Sequence, residues 1–319
     1  MIVCPLGNHL APCVVPYTKD YEIDERDLRR HIQYLASIPG MNGVVVNPHA
    51  GEVYSQSREE RLRILEIGVD ALKGRSKVVA GVAPTPDTTK AAIELAREYE
   101  RAGADGILLM APHWFAFGVN ATPEVGVEYV RRVADAVNIP ILIYQLGSWT
   151  GAHYTLDTLA RMCEDPRVVG VKVVTMGYRD SVEFEETVKV LHSLSHPVAV
   201  LTGNDNVMLY NFIAGADGTL VGLHNAYGEL IIEMFNAVQS GNLQRAIDLH
   251  RQQELITDVL FSPPPLMYRS RYKYAAYLQG KITGYRLKPP LPEVDERERR
   301  RIRDALVQCK LLPQEVVAI

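Results

Sequence analysis

One lysine stands inside an apolar segment of the chain, at Lys172 in residues 167–175, RVVGVKVVT. An apolar, β-branched run of this kind is typical of a buried strand in a parallel sheet. Burial removes the hydration of the ammonium group, which lowers the lysine pKa and increases the neutral amine that can attack a carbonyl carbon and form a Schiff base. Lys172 is therefore either a nucleophile or a salt-bridged structural residue.

A tyrosine ends the apolar run that precedes this segment. Residues 139–144 read IPILIY and finish at Tyr144. If the two runs are neighbouring strands, the phenol of Tyr144 can relay protons to and from a carbinolamine on Lys172. Lys172 and Tyr144 would then be the catalytic residues.

Alternating strands and helices must position these two residues. Segments with helical spacing separate the apolar runs, and one of them opens with a capping box at residues 57–60, SREE. Because no glycine-rich dinucleotide fingerprint follows the first run, eight such alternations predict an α/β fold of the (β/α)₈ TIM-barrel type rather than a doubly wound sheet. The predicted strands are residues 10–15, 43–47, 77–82, 106–110, 139–144, 167–175, 197–201 and 218–222.

The pattern changes beyond residue 227, where helical segments follow one another without strands. They cover residues 229–240, 243–259, 271–279 and 296–306, with proline-rich breaks at 263–265 and 289–292. We therefore predict a catalytic barrel over residues 1–226 and a C-terminal helical region over residues 227–319 that packs on it.

Composition and charge narrow the class of protein. The chain has 319 residues, is 47% hydrophobic and carries a net charge of −4, which favours neither nucleic acid nor a membrane surface as a partner. Its four cysteines form no CxxC pair and are predicted to be reduced thiols. Because no signal peptide or membrane span is apparent, a cytoplasmic location is predicted.

Several segments, in order along nearly the whole chain, resemble the dihydrodipicolinate synthase / N-acetylneuraminate lyase family of class I aldolases. The resemblance rests on NGVVVNPHAGEVYSQSREER, YERAGADGILLMAPHW, IPILIYQLGSWTG, VVGVKVVT and LTGNDNVMLYNFIAGADGTLVG. It implies a Schiff-base lysine at Lys172 and a proton-relaying tyrosine at Tyr144. It also implies a homotetramer (a dimer of dimers) that needs no metal or organic cofactor and acts on a small carbonyl substrate such as pyruvate.

The chain departs from the family where the keto acid carboxylate is held. Two hydroxyl residues normally precede Gly-Glu there, whereas this chain has His49 and Ala50 before Gly51 and Glu52. Ala50 offers no side-chain donor, but a protonated His49 imidazole would suit a carboxylate. Two further positions, Thr175 and Leu220, match residues that line the family's keto acid pocket, although plain barrel filling explains Leu220 equally well.

Two more departures concern the second substrate and the proton relay. Trp149 stands where the synthases carry an arginine that grips a distal carboxylate, so an uncharged or apolar second substrate is expected. His113 and Trp114 replace a tyrosine pair after the fourth strand. Either His113 assists Tyr144, or this aromatic segment packs in a subunit interface.

We predict a lyase that forms or cleaves a carbon–carbon bond through a Lys172 imine with a 2-keto acid, and that is not a true dihydrodipicolinate synthase. Three alternatives stay open. One is a dehydratase acting on a sugar-acid-like substrate through the same imine. Another is a metal-dependent barrel enzyme using His49, His113 and His224 with a carboxylate. The third is a protein that binds a carbonyl ligand without turning it over.

Overall fold

Parallel strands form the centre of the structure, and each is hydrogen-bonded to the next in chain order. The computed structural model describes residues 1–174 and 178–313, with the backbone alone at 178–180. Within these ranges there are eight strands: β1 (Leu10–Pro12), β2 (Gly43–Val46), β3 (Lys77–Val82), β4 (Gly106–Leu109), β5 (Ile141–Gln145), β6 (Val168–Val173), β7 (Ala199–Thr202) and β8 (Gly218–Thr219).

Contacts between the last strand and the first close the sheet into a barrel. Thr219 pairs with His9 in a parallel bridge, and the Thr219 amide donates to the carbonyl of Asn8 at 2.8 Å. Since every strand is parallel to its neighbours and a helix separates each from the next, the predicted (β/α)₈ TIM barrel is confirmed.

Helices surround the barrel and continue beyond it. Several begin at the capping residues that the sequence indicates, including the complete capping box between Ser57 and Glu60. The helices are α1 (Glu25–Ser37), α2 (Arg58–Leu72), α3 (Thr89–Arg101), α4 (Pro123–Ala134), α5 (Leu156–Met162), α6 (Tyr178–His192), α7 (Met208–Ile213), α8 (His224–Gln239), α9 (Leu243–Leu260), α10 (Tyr268–Leu278) and α11 (Glu296–Gln308).

The two-residue period of the strands divides the apolar core into two layers. In β2, Val45 belongs to the cluster inside the barrel, while Val44 and Val46 belong to the layer between the strands and the helices. In β6, Val171 and Val173 lie in that outer layer, so Lys172 between them points into the barrel. The inner cluster includes Leu10, Val79, Leu108, Leu142, Tyr144, Leu201 and Leu220.

The structure corrects several predicted boundaries. β1 has three residues instead of six, and β8 has two instead of five. Helix α8 begins at His224 rather than at residue 229. Helix α10 begins at Tyr268 rather than near residue 271, because the short 3₁₀ helix Pro265–Met267 leads straight into it. The earlier start places the side chains of Tyr268 and Arg269, the first two residues of α10, against the barrel.

Buried polar contacts tie the C-terminal helices to the open end of the barrel. The Lys273 ammonium pairs with the Glu52 carboxylate at 2.6 Å, and the Tyr272 hydroxyl donates to the Asp205 carboxylate at 2.6 Å. The boundary between residues 226 and 227 stays a prediction. Among the described residues, no helix has the length and apolar character to cross a membrane.

Candidate active site

Lys172 and Tyr144 are paired residues of two adjacent strands, β6 and β5. The Lys172 Nζ lies 4.2 Å from the centroid of the Tyr144 ring. Each residue is only 7% exposed. Strand period and register therefore place an amine and a phenol side by side at the C-terminal end of the barrel, where barrel chemistry occurs.

Gly203, just after β7, leaves the space that the lysine side chain needs. A Cβ at this position would lie 2.9 Å from Lys172 Cε and 2.9 Å from the carbonyl oxygen of Val173. Both contacts are closer than carbon atoms tolerate, and the carbonyl belongs to the rigid backbone of β6. Glycine at position 203 therefore allows Lys172 to extend across the end of the neighbouring strand.

Burial lowers the pKa of Lys172 to about 8, and the positive charge of Arg269 acts in the same direction. The Asp205 carboxylate opposes this shift. A lysine with such a pKa carries a substantial fraction of neutral amine near neutral pH, whereas an exposed lysine carries almost none. The amine is therefore available as a nucleophile.

Asp205 is the buried carboxylate whose charge acts on this lysine. It accepts hydrogen bonds from the Tyr272 hydroxyl at 2.6 Å and from the Leu223 amide at 2.7 Å. Burial raises its pKa to about 6, and these hydrogen bonds together with Lys172 limit the rise. The carboxylate is thus mostly ionised at neutral pH and held in place by α10.

Tyr144 keeps its proton over the physiological range. Burial raises its pKa above the usual value of a phenol, and Arg269 opposes this effect. The His49 ring meets the Tyr144 ring edge to face, with centroids 4.9 Å apart. A protonated phenol in this position can donate to an oxygen atom on the carbon bound to Lys172.

His49 lies between two tyrosines in the short 3₁₀ helix His49–Gly51. Burial lowers its pKa well below the usual value, and the charges of Arg269 and Lys172 lower it further. The imidazole is therefore neutral, and the protonated form considered from the sequence is disfavoured. Ala50, the next residue, lines the same cavity without offering a donor.

The loop that carries these residues is fixed by its Gly-Glu pair. A Cβ on Gly51 would lie 2.6 Å from the carbonyl oxygen of Cys13, so only glycine fits without displacing the backbone. Glu52 has a left-handed backbone with φ of 61° and forms the buried pair with Lys273, in which both side chains are 1% exposed. Helix α10 therefore determines where the loop lies.

A cavity of about 350 Å³ opens above Lys172. The barrel contributes strand ends and loops to its wall, and the C-terminal region supplies the opposite side. The barrel side includes His49, Ala50, Tyr144, Lys172 and Asp205, and the C-terminal side includes Phe261, Pro265, Leu266, Tyr268 and Arg269.

Trp149 lines this cavity from the loop after β5. Its indole lies directly on the backbone of Gly147, where a Cβ would be 1.7 Å from the ring. The residue is 52% exposed, so the ring sits at the border between cavity and solvent. It offers apolar area and one N–H donor to a ligand entering there.

Two other predicted site residues, His113 and Leu220, lie elsewhere. His113 lines a neighbouring cavity of about 400 Å³ that shares Leu146 with the first. Leu220 is fully buried inside the barrel among the inner apolar residues. Thr175 lies outside the described residues.

The histidines of the metal hypothesis are not brought together. His224 is fully buried, and its Nε2 lies 2.9 Å from the Thr219 hydroxyl, at the closure of the barrel rather than at the rim expected from the sequence. Within the ranges 1–174 and 178–313, no group of three or more His, Cys, Asp or Glu side chains is arranged to hold a metal ion. The donor geometry therefore gives the metal hypothesis no support.

Helix α10 supplies the cavity residues that sequence reasoning missed. Tyr268 and Arg269 line the cavity, while Tyr272 and Lys273, each four positions further on, reach Asp205 and Glu52. The signal was present in YRSRYK at 268–273, where two tyrosines and two cations repeat at the spacing of one helix face. Nothing local, however, shows which loop this face meets.

The fold defines the class of protein as a (β/α)₈ TIM barrel, with a buried lysine at the carboxyl ends of its strands. The sequence profile of the Dihydrodipicolinate synthetase family matches residues 5–309. The chain belongs to this family, which confirms the resemblance seen in the sequence. Because the family consists of aldolase-type lyases, the prediction of a lyase is also confirmed.

Individual relatives cover nearly the whole chain. A 4-hydroxy-tetrahydrodipicolinate synthase of Methanopyrus kandleri is 31% identical over 307 residues, which are 94% of this chain and 95% of that protein. An N-acetylneuraminate lyase of Clostridium perfringens is 26% identical over 284 residues, 89% of this chain and 92% of that protein. The crystal structure of a dihydrodipicolinate synthase from Acinetobacter baumannii, complexed with pyruvate, superposes with a TM-score of 0.82 at 25% identity, covering 96% of this chain and 100% of that one.

Proposed function

We propose that this protein is a class I lyase that forms an imine between Lys172 and the carbonyl carbon of a 2-keto acid, and then cleaves or forms the adjacent carbon–carbon bond. The observation that carries the proposal is the buried Lys172 amine beside the Tyr144 ring, 4.2 Å from its centroid, at the wall of a cavity of about 350 Å³. A cavity of this size suits a small organic substrate. The pyruvate complex of the Acinetobacter relative supports the choice of a 2-keto acid.

The proposed reaction proceeds through bonds made and broken at the Lys172 amine. The Lys172 amine adds to the keto carbon, and the resulting carbinolamine loses water to give the imine. In the cleavage direction, the substrate's 4-hydroxyl loses its proton, the bond between C3 and C4 breaks, and an aldehyde leaves. The electron pair moves into an enamine, which is protonated at C3, and hydrolysis then releases the shorter keto acid and the free lysine.

Tyr144 and Asp205 have separate parts in this sequence. Tyr144 is the proton relay, since its phenol is protonated and adjacent to the Lys172 nitrogen, whose bonded substrate carbon gains and loses the oxygen atom as the carbinolamine forms and breaks down. Asp205 is a positioning residue that acts through its charge on Lys172, limiting how far the lysine pKa falls. Asp205 thus keeps the pKa of the Lys172 amine close to the pH at which the amine can both add to a carbonyl carbon and be reprotonated.

The second substrate is proposed to be uncharged or apolar, in contrast to that of a dihydrodipicolinate synthase. Trp149 borders the cavity where an arginine would be needed to hold a distal carboxylate, and an indole cannot neutralise an acid. Several relatives carry the synthase name, so this difference is a proposal about specificity within the family. Assembly as a homotetramer also stays a prediction.

A panel of 4-hydroxy-2-keto acids tests the proposal. Half of the panel should release aldehydes with uncharged apolar groups, and half should release aldehydes with a carboxylate. We expect release of pyruvate and aldehyde from the apolar half and no release by Lys172→Ala, while Lys281→Ala, which alters another buried lysine, retains activity. Full activity in Lys172→Ala, or activity abolished by a chelator, would contradict the imine. Loss of water without an aldehyde product would identify a dehydratase.

A further inference from the structure

Arg269 is a cationic side chain in the cavity that comes from outside the barrel. It is the second residue of α10 and one of the residues that line the cavity. Its Nε donates to the carbonyl oxygen of His49 at 2.7 Å, and its guanidinium carbon lies 4.4 Å from the centroid of the Tyr268 ring. A backbone bond on one side and a ring on the other therefore hold the group.

Arg269 has no acidic partner in the part of the chain that the structure describes, namely residues 1–174 and 178–313. The two neighbouring cations of the same helix are neutralised, because Arg271 pairs with Glu298 and Lys273 with Glu52. The His49 carbonyl occupies one of the five N–H donors of the Arg269 guanidinium. Its remaining donors are available to an anion in the cavity, and a guanidinium fits a carboxylate with two parallel hydrogen bonds.

The position of Arg269 is set by two contacts to one loop. Arg269 bonds to His49, and Lys273, four residues later on the same helix face, bonds to Glu52. The loop at residues 49–52 and the start of α10 therefore hold each other in place. In the family, this loop presents the hydroxyl side chains that hold the keto acid carboxylate, and here His49 and Ala50 replace them.

We propose that Arg269 binds the carboxylate of the 2-keto acid that forms the imine with Lys172, and so takes over the role of the missing hydroxyl pair. This inference rests on the proposed function. The guanidinium is attached to the loop that the keto acid carboxylate would meet, and its charge acts on both Lys172 and His49. Trp149, which is proposed to face the second substrate, lies on a different loop, after β5. Arg269 is therefore assigned to the keto acid rather than to the aldehyde.

The test compares a charged ligand with an uncharged one on the same lysine. Pyruvate and its methyl ester are titrated separately, the imine is reduced with cyanoborohydride, and the fraction of Lys172 that is modified is measured by mass spectrometry. The ester carries the same keto group without a negative charge. It therefore controls for any change that Arg269→Gln causes in the reactivity of Lys172 itself.

Arg269→Gln should raise the half-saturating pyruvate concentration roughly 10- to 100-fold while leaving that of the ester within about twofold. Arg269→Lys, which keeps the charge but not the planar pair of donors, should recover part of the pyruvate affinity. Arg300→Gln, an exposed arginine of α11, is the matched control and should match the wild type for both ligands.

Two results would overturn the inference: an unchanged pyruvate titration in Arg269→Gln, or an equal loss for pyruvate and ester, which would mean that Arg269 only holds the loop. A wild-type protein that forms no Lys172 adduct with either ligand would instead refute the proposed function on which the inference rests. If Arg269→Gln does not fold, Arg269→Lys provides the test. The inference requires that the ratio of pyruvate affinity to ester affinity be lower in Arg269→Lys than in the wild type, and an unchanged ratio would overturn it.

Discussion

Tyr144 and Lys172 are direct cross-strand neighbours in β5 and β6, with the lysine nitrogen 4.2 Å from the centre of the tyrosine ring. The parallel register of the two strands pairs these residues, and the alternation of side chains along a strand directs both into the barrel. The position of the pair therefore depends on the strands of the barrel itself. The residues proposed to select the substrate come from loops and from α10.

The rate of imine formation should rise with pH through a midpoint near 8, because the Lys172 amine must lose its proton before it adds to a carbonyl. Asp205 raises this pKa, so Asp205→Asn should move the midpoint to lower pH while still accepting the Tyr272 hydrogen bond. The first-order rate of borohydride trapping across pH measures both midpoints. An unchanged or higher midpoint in Asp205→Asn would remove Asp205 from the site.

Tyr144→Phe should separate the relay from imine formation. The ring that packs against Lys172 stays, so adduct should still accumulate when trapping is allowed to reach completion. Turnover should fall roughly 10²- to 10⁴-fold because the proton donor is lost. Tyr34→Phe, on α1, serves as the control and should keep full turnover. Equal turnover in Tyr144→Phe and the wild type would show that another group relays the protons.

Gly203→Ala should displace Lys172, since its Cβ would lie 2.9 Å from both Lys172 Cε and the Val173 carbonyl. A displacement of about 1 Å would slow trapping by about 100-fold. Gly68→Ala on α2, whose nearest contact would be 3.2 Å, provides a glycine control away from the site. Normal trapping kinetics in Gly203→Ala would mean that the lysine does not need this space.

The buried pair of Glu52 and Lys273 should be costly to break from one side. Glu52→Gln leaves the Lys273 charge buried without its partner, and we expect a loss of about 3–5 kcal/mol in the free energy of unfolding. The double variant Glu52→Gln with Lys273→Met should recover a large part of this loss, because no uncompensated charge is left. Denaturant titrations of Glu52→Gln, Lys273→Met and the double variant measure the coupling, and simple additivity of the two single losses would contradict it.

Trp149→Arg should shift the preference toward acidic aldehydes, since a guanidinium at the cavity border can pair with a distal carboxylate. The ratio of kcat/KM for a carboxylated and an apolar aldehyde measures the shift. Trp149→Phe keeps an apolar ring and should preserve the wild-type ratio. If Trp149→Arg leaves the ratio unchanged, Trp149 does not contact the second substrate.

The barrel and its lysine could be predicted because their signals are local. The apolar strand runs, including the one that contains Lys172, and the capping box at Ser57 all lie within short windows of sequence. The family resemblance added the role of Tyr144. The direction in which Lys172 points became known only from the structure, where Val171 and Val173 on either side of it lie in the outer layer.

The cavity wall could not be predicted in the same way. Arg269 meets His49 across 220 positions of the chain, and no periodicity encodes that contact. The neutral state of His49 likewise depends on burial by residues that are distant in sequence. Helix α10 was expected near residue 271, and its earlier start is what brings Tyr268 and Arg269 to the cavity.

Peptide mapping after borohydride reduction in the presence of pyruvate tests the central claim most directly. The account predicts a single modified peptide, the one that contains Lys172, with the mass of a reduced pyruvate adduct and no modification at Lys273 or Lys281. Exclusive modification of another lysine, or no adduct with any 2-keto acid at pH values around the pKa of about 8 for Lys172, would contradict it.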